Sequence, residues 1–332
     1  MVNPIPNENF LVKLLNEKAV VQMPPRLSVL EAVTYKNTCQ ELLQTPSVPK
    51  QIILDLSQTT FIDSSGVGAL VNTLKSANEK GVELVLRGIH PQVKAVLALT
   101  GLNEVFTIEP SSPTDPPPSN RRSQNQLPTT HPSVRSWIKR FLDIVGSIVG
   151  LLITAILFIP LVIAIKIDSP GPIFFSQVRC GWLGRRFRLW KFRSMCTDAE
   201  QLKATIKNQA QGAFFKNEND PRVTKVGRFL RRTSLDELPQ FWNVLKGEMS
   251  LVGTRPPTPD EVDSYEVPEW QRLDVKPGMT GEWQVNGRSQ VRHFEDVIRL
   301  DLQYQRNWSL MYDLKLIIRT ILIVFNKNSG AY

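Results

Sequence analysis

The chain has 332 residues, enough for two domains, and carries 40 Lys+Arg against 31 Asp+Glu, a formal net charge of +9. The excess is uneven: residues 1–110 hold 9 basic and 10 acidic side chains, and the remainder holds 31 and 21. The basic partner therefore belongs to the later part, where nucleic acid, an anionic membrane face or a phosphorylated substrate would each fit. Cys39, Cys180 and Cys196 are widely spaced with no CxxC, which argues against a disulfide framework and for a reducing compartment. The three histidines, His90, His131 and His293, have no zinc spacing. The stretch MVNPIPNENF has neither a basic nor an apolar leader segment, so no secretory signal is expected.

The first 110 residues alternate strand and helix. Phe10 to Leu15 and Lys18 to Met23 read as strands around Asn16-Glu17, and Leu30 to Leu43 as a helix. Gln51 to Leu56 suits a buried strand. A second helix runs through Val71, Leu74 and Ala77, followed by a strand over Val82 to Leu86. A helix over Pro91 to Leu99, stopped at Gly101, and a strand over Val105 to Ile108 complete a small α/β sheet domain. Between strand and second helix lies Asp63-Ser64-Ser65-Gly66. Asp63 and Ser64 suit a helix cap, while backbone N–H groups at such a start can hold an anion. A phosphate on the serine would add about two negative charges. From Gln51 to Ile108 the sequence resembles a STAS domain, the anti-sigma-factor-antagonist fold. The resemblance implies a module that binds partners, with Ser64 as the phosphorylatable serine.

Glu109 to Ser136 carries Pro110, Pro113, Pro116, Pro117, Pro118, Pro128 and Pro132 among polar residues. Such a composition cannot bury a core and predicts a disordered or polyproline-like linker. Ile144 to Ile167 then gives 24 residues with one charge, Lys166, long enough for a transmembrane helix. Both flanks are basic: Arg135, Lys139 and Arg140 precede the run, and Arg179, Arg185, Arg186, Arg188, Lys191 and Arg193 follow it. The positive-inside bias holds both flanks on one side. Pro160 favours a kink. A helix that enters the membrane, bends at Pro160 and returns satisfies both features.

Beyond the membrane run, Ser169-Pro170-Gly171-Pro172 reads as a turn, Ile173 to Val178 as a strand, and Phe187 to Met195 alternates basic and aromatic residues. That alternation suits an interfacial strand, or Lys191 and Arg193 placed on phosphates. Arg231 to Val262 brings arginines, the adjacent Asp236-Glu237 pair and Thr254-Arg255-Pro256-Pro257 into one short segment. Ser234 to Glu237 fits a capping box at a helix start. Carboxylates close to arginines also fit a site for an anion, with or without a divalent metal. Trp308 to Phe325 suits either a core helix or one lying in the membrane interface.

From about Trp137 to Phe325 the motifs KRFLDIVGSIVG, KFRSM, GRFLRRTSLDELPQFWNVLKGEMSLVG, TRP, KPGMTGEWQVNGR and LDLQYQRNWSLMYDLKLI occur in order. They resemble the monotopic phosphoglycosyl transferases, or bacterial sugar transferases. The resemblance implies transfer of a phospho-sugar from a UDP-sugar to a membrane polyprenyl phosphate through an aspartyl-phosphosugar, with release of UMP. It also implies a re-entrant helix at the cytoplasmic face of the bacterial plasma membrane. Asp236 is then the nucleophile and Glu237 its partner. Mg2+ is held by Asp236, Glu237 and Asp301, and Lys191, Arg193, Arg231, Arg255, Pro256 and Arg288 contact substrate. Ile159-Pro160 and Thr254-Arg255-Pro256 stand where the family often has Ser-Pro and Pro-Arg-Pro.

The expected architecture is α/β. A STAS-like small sheet domain spans 1–110, a linker 111–135, a re-entrant membrane helix 136–168, and a mainly helical α+β catalytic domain with an interfacial C-terminal helix 169–332. Expected partners are UDP-sugar, polyprenyl phosphate, membrane lipid and a protein docking on the STAS domain. The competing reading is a STAS-controlled membrane scaffold on a degenerate transferase. A nucleic-acid binder is disfavoured because no base-reading module is recognisable.

Overall fold

A computed structural model describes residues 10–15, 17–45, 48–109, 130–202, 206, 217, 220–286 and 293–325. Contacts divide the chain into two units. The first comprises Met1–Thr130, Leu183–Arg185 and Tyr265–Asp274, and the second comprises the remainder.

In the first unit, β1 (Val12–Leu15) and β2 (Lys18–Gln22) form an antiparallel hairpin. After β3 (Arg26–Leu27) and α1 (Val29–Gln44) come β4 (Gln51–Asp55), β5 (Phe61–Ile62), α2 (Ser64–Glu79), β6 (Glu83–Arg87), α3 (Pro91–Thr100) and β7 (Thr107–Ile108). The main sheet has the order β1-β2-β4-β6-β7, parallel from β2 onward, and β3 pairs with β5 as a separate parallel ribbon. Parallel strands need crossover helices, which is why the strand runs Ile52–Leu54 and Leu84–Leu86 are buried on both faces. Asp63 caps α2, its side chain accepting from Gly66 N–H, as the Asp-Ser-Ser-Gly pattern predicts.

The second unit opens with α4 (Pro132–Arg135), a helical turn in residues that composition had assigned to the linker. His131 caps it, and the His131 Nε2 lies 3.0 Å from the Gln305 carbonyl, so this end of the linker is tied down. Most of the expected linker lies outside the described residues. Next comes α5 (Trp137–Asp168), 32 residues long. It runs through Pro160 without interruption, so the expected bend is not a break in the helix. Proline removes a single donor, and the turns on either side keep theirs.

One face of α5 is buried at Lys139, Asp143, Ser147 and Gly150, while Leu152, Ile156, Ile159, Ile163 and Ile167 are exposed. The first half of the helix thus turns polar side chains into the protein and apolar ones outward, the reverse of a soluble amphipathic helix, while Leu161 and Ile165 of the second half pack against Phe192 and Leu230. Beyond it, β8 (Phe174–Cys180) and β9 (Arg186–Phe192) pair antiparallel. Then follow α6 (Ala199–Leu202), α7 (Lys225–Arg232), α8 (Gln240–Lys246), β10 (Ser250–Val252), α9 (Pro259–Asp263), β11 (Gly278–Thr280), α10 (Glu282–Asn286), α11 (Phe294–Arg306) and α12 (Leu310–Phe325).

α5 organises this unit. Gly150 lets Phe241 of α8 approach so closely that a Cβ would lie 2.4 Å from the ring. Arg140 donates from Nη1 and Nη2 to the Val244 and Leu245 carbonyls, both at 2.7 Å, a cation on the carbonyl end of α8. Buried Lys139 donates to Asp313 Oδ2 at 2.6 Å and to the Val252 carbonyl at 2.9 Å, while Tyr304 and Trp308 also donate to Asp313. Asp313 and Leu316 of α12 therefore face inward, and Met311, Leu314, Ile318, Ile321 and Leu322 form an exposed apolar stripe.

Candidate active site

The Asp236-Glu237 pair does not sit in the first turn of an α-helix. It occupies a single 3-10 turn, Leu235–Glu237, because Pro239 has no N–H to donate to the Leu235 carbonyl; Leu238 N–H donates there instead. Ser234, expected as a helix cap, has φ 56° and makes no side-chain cap bond. Left-handed backbone at a residue other than glycine costs about 1–2 kcal/mol. The turn thus holds Ser234, two residues before Asp236, in a sparsely populated backbone region.

Lys191 on β9 meets the pair. Its Nζ lies 2.8 Å from Glu237 Oε1 and 3.8 Å from Asp236 Oδ2. Asp236 is only 5% exposed, whereas the Lys191 and Glu237 side chains are about one-quarter exposed, so the cation and the outer acid line the way in. Asn243 of α8 fixes this register: its Oδ1 accepts from Trp190 N–H at 3.2 Å, and its Nδ2 donates to the Arg188 carbonyl at 2.7 Å. The strand bearing Lys191 is thereby bolted to the helix that follows the acids.

Arg231, at the end of α7, donates from Nε to Ser194 Oγ at 2.9 Å. Burial lowers its pKa, and the nearby Asp236 carboxylate acts against that shift. Arg193, expected to contact substrate, has backbone partners. Its Nη1 and Nη2 donate to the Pro170 and Ser169 carbonyls at 2.8 and 2.6 Å, so it holds the turn that leaves α5.

Arg255 forms a fork-to-fork pair with Glu261, with contacts of 2.8 and 3.0 Å, and its guanidinium lies 5.8 Å from the Trp283 ring centroid. Sequence reasoning missed Glu261 and Arg179. Glu261 also closes a capping box with Thr258, a pattern legible in Thr258-Pro259-Asp260-Glu261. Arg179, at the end of β8, donates from Nη1 to the Pro256 carbonyl at 2.9 Å and from Nη2 to Gln177 Oε1 at 2.7 Å. Cys180 N–H reaches the Pro257 carbonyl at 2.9 Å. Burial first, and then Arg255, brings the Arg179 pKa down to about 10. The Thr254–Pro257 turn is therefore held from both sides.

Arg288 lies outside the described residues. Asp301 is 1% exposed on α11, and among the described residues no group of three His, Cys, Asp or Glu side chains is placed to hold a metal. Asp301 thus does not join Asp236 and Glu237 in one cluster. The two adjacent carboxylates by themselves suit magnesium, which takes one or two carboxylates and fills its remaining positions with water and substrate phosphate oxygens.

The model of the family described as "Bacterial sugar transferase" matches residues 134–327, and that described as "STAS domain" matches residues 9–114. Galactosyl transferase CpsE of Streptococcus agalactiae is 54% identical over 188 residues, covering 56% of this chain and 42% of the relative. UDP-glucose:undecaprenyl-phosphate glucose-1-phosphate transferase of Escherichia coli is 41% identical over 206 residues, covering 60% and 42%. Exopolysaccharide production protein ExoY of Rhizobium meliloti is 38% identical over 189 residues, covering 55% and 83%. The chain spans 42% of the length of the first two relatives. The transferase match takes in more than half of the chain and contains the whole Lys191–Asp236–Glu237 constellation, so this protein belongs to the bacterial sugar transferase family and carries a STAS domain ahead of its transferase region.

Proposed function

We propose that the second unit transfers a phospho-sugar from a UDP-sugar to a polyprenyl phosphate at the cytoplasmic membrane face. The observation that carries this reading is Lys191 Nζ between Asp236 and Glu237. A lysine there sets a positive charge beside both carboxylates and leaves Asp236 placed as a nucleophile. The Asp236 carboxylate attacks the phosphorus that bears the sugar. The bond to the bridging oxygen breaks, and UMP leaves with the electron pair. An oxygen of the polyprenyl phosphate then attacks the same phosphorus and frees Asp236. Glu237 holds Lys191, and Arg231 adds positive charge beside the nucleophile. Arg255-Pro256, fixed by Glu261 and Arg179, meets the uridine diphosphate side, with Arg288 as a further phosphate contact. Magnesium, held by Asp236 and Glu237 together with substrate oxygens, would neutralise diphosphate charge.

The relatives' printed names support the substrate classes, and the outward apolar faces of α5 and α12 support the membrane setting. The STAS domain serves docking, with Ser64 as its modifiable residue. The test is Asp236→Asn in the full chain, read as UMP release. Abolished release, and loss of the phospho-sugar adduct that wild type forms without acceptor, is expected. Retained turnover would overturn the assignment.

A further inference from the structure

Within the first unit, helices α1 and α2 are covered by Tyr265–Asp274, which includes the 3-10 stretch Val267–Asp274. In sequence this stretch lies inside the sugar transferase match, some 200 residues after α2. Three anchors hold it. The Trp270 ring lies over Gly68, where a Cβ would come within 2.4 Å of the indole. Glycine at this position of α2 is what admits the ring. Asp274 Oδ1 accepts the Ser64 backbone N–H at 2.9 Å, while Asp63 accepts that of Gly66. At the rim, Lys36 Nζ lies 2.6 Å from Glu266 Oε2. Beneath this cover Ser64 and Ser65 are 0% exposed.

We infer that the serine-bearing face of the STAS domain is an interaction surface whose partner is the chain's own segment Tyr265–Asp274, and that an anion at position 64 and this segment exclude each other. The inference rests on the docking role proposed above and names the partner. The exclusion follows from charge and space. A negative group on Ser64 would enter a buried volume, next to the Asp274 carboxylate that accepts the Ser64 amide and the Asp63 carboxylate that accepts the Gly66 amide. Like charges in a desolvated site repel strongly, and neither carboxylate can move while it holds an α2 amide. Burial drives the Asp274 carboxyl up to about 7, with Asp63 adding to the effect, the direction in which this corner disfavours negative charge. Release of the segment is the way to accommodate an anion, and it uncovers the face for another protein.

Hydrogen–deuterium exchange on the full chain in lipid nanodiscs tests this. In Trp270→Ala, the Ser64 amide and residues 265–274 should exchange about tenfold faster or more, while Gln51–Asp55 and Glu83–Arg87 keep wild-type protection. Ser64→Glu should do the same, and Ser64→Ala should not. An unchanged Ser64 amide in Trp270→Ala, or an unchanged segment in Ser64→Glu, would overturn the inference. So would loss of sheet protection in either variant, because the segment would then be part of the domain core rather than a partner. Exchange is read without any transfer reaction, so failure here leaves the proposed chemistry standing, and an active Asp236→Asn enzyme leaves the docking standing.

Discussion

At the residue scale, two ionisable side chains define opposite environments. Lys191 sits between two acids with a route to solvent, so its value lies in the charge it presents and little in stability. The Lys191–Glu237 pair is partly exposed and solvent-screened, and such pairs contribute about 0–1 kcal/mol. Lys191→Ala should therefore leave the melting temperature nearly unchanged while UMP release falls by about 100-fold, the scale expected when one fixed charge beside a reacting phosphoryl group is removed. A large loss of stability with turnover intact would contradict this. Asp274 is the reverse case. Burial and Asp63 raise its pKa from the ordinary 3.8 to about 7. Between those values the folded chain binds a proton that the unfolded chain has lost. Stability from this group is thus present at low pH and falls as pH rises through the window from about 4 to about 7. Asp274→Asn, which stays neutral, should flatten that dependence and stabilise the first unit at pH 8 relative to wild type, by at most a few kcal/mol. Thermal unfolding at pH 5.5 and 8 measures the difference.

Elements show where sequence patterns sufficed and where geometry took over. The β/α alternation of the first domain was legible because the central strands β4 and β6 are apolar runs and Asp63 caps α2, whereas the two-residue strands β3 and β5 were too short to show a pattern. The apolar length of α5 was legible from its own continuous apolar run, but its buried Lys139 and Asp143 become meaningful only against Val252, Asp313 and Ser250. The acid pair was found from its neighbours in sequence. Its 3-10 geometry was not, although Pro239 carried the signal. The bonds of Arg193 to backbone carbonyls were not legible, because an alternating basic strand does not reveal which cations face such carbonyls. Its two bonds to the Ser169–Pro170 turn give a distinct expectation. Arg193→Ala should cost about 2–3 kcal/mol, the range for a buried charged donor, without raising KM for the UDP-sugar. Calorimetry paired with steady-state kinetics separates the two effects, and a specific rise in KM would return Arg193 to the substrate.

At the scale of the whole molecule, the open issue is how the second unit meets the bilayer, and the sequence and the structure pull in different directions. The basic flanks favour both ends of α5 on one side, yet the helix is continuous, and 32 residues extend ~48 Å, more than the ~30 Å hydrocarbon core. A straight span would leave Lys166 and the basic β8–β9 region across the membrane from Lys139 and Arg140. It would also part the two halves of α5, although Lys139 pairs with Asp313 and Leu161 and Ile165 pack on Phe192 and Leu230 within one folded unit. A shallow, inclined entry keeps that body on one side and lets the α12 stripe lie in the same interface. Single-cysteine labelling in intact and opened vesicles decides between these arrangements. The background is favourable: Cys39 and Cys180 are buried, and burial raises their thiols to about 12 and about 11, so they stay protonated and unreactive near neutral pH. Only Cys196 needs replacement by serine. Cysteines at Arg135 and at Arg188, on either side of α5, should react from the same side and with the same reagent. Labelling from opposite faces would establish a span and place the proposed active site across the membrane from the end of the linker.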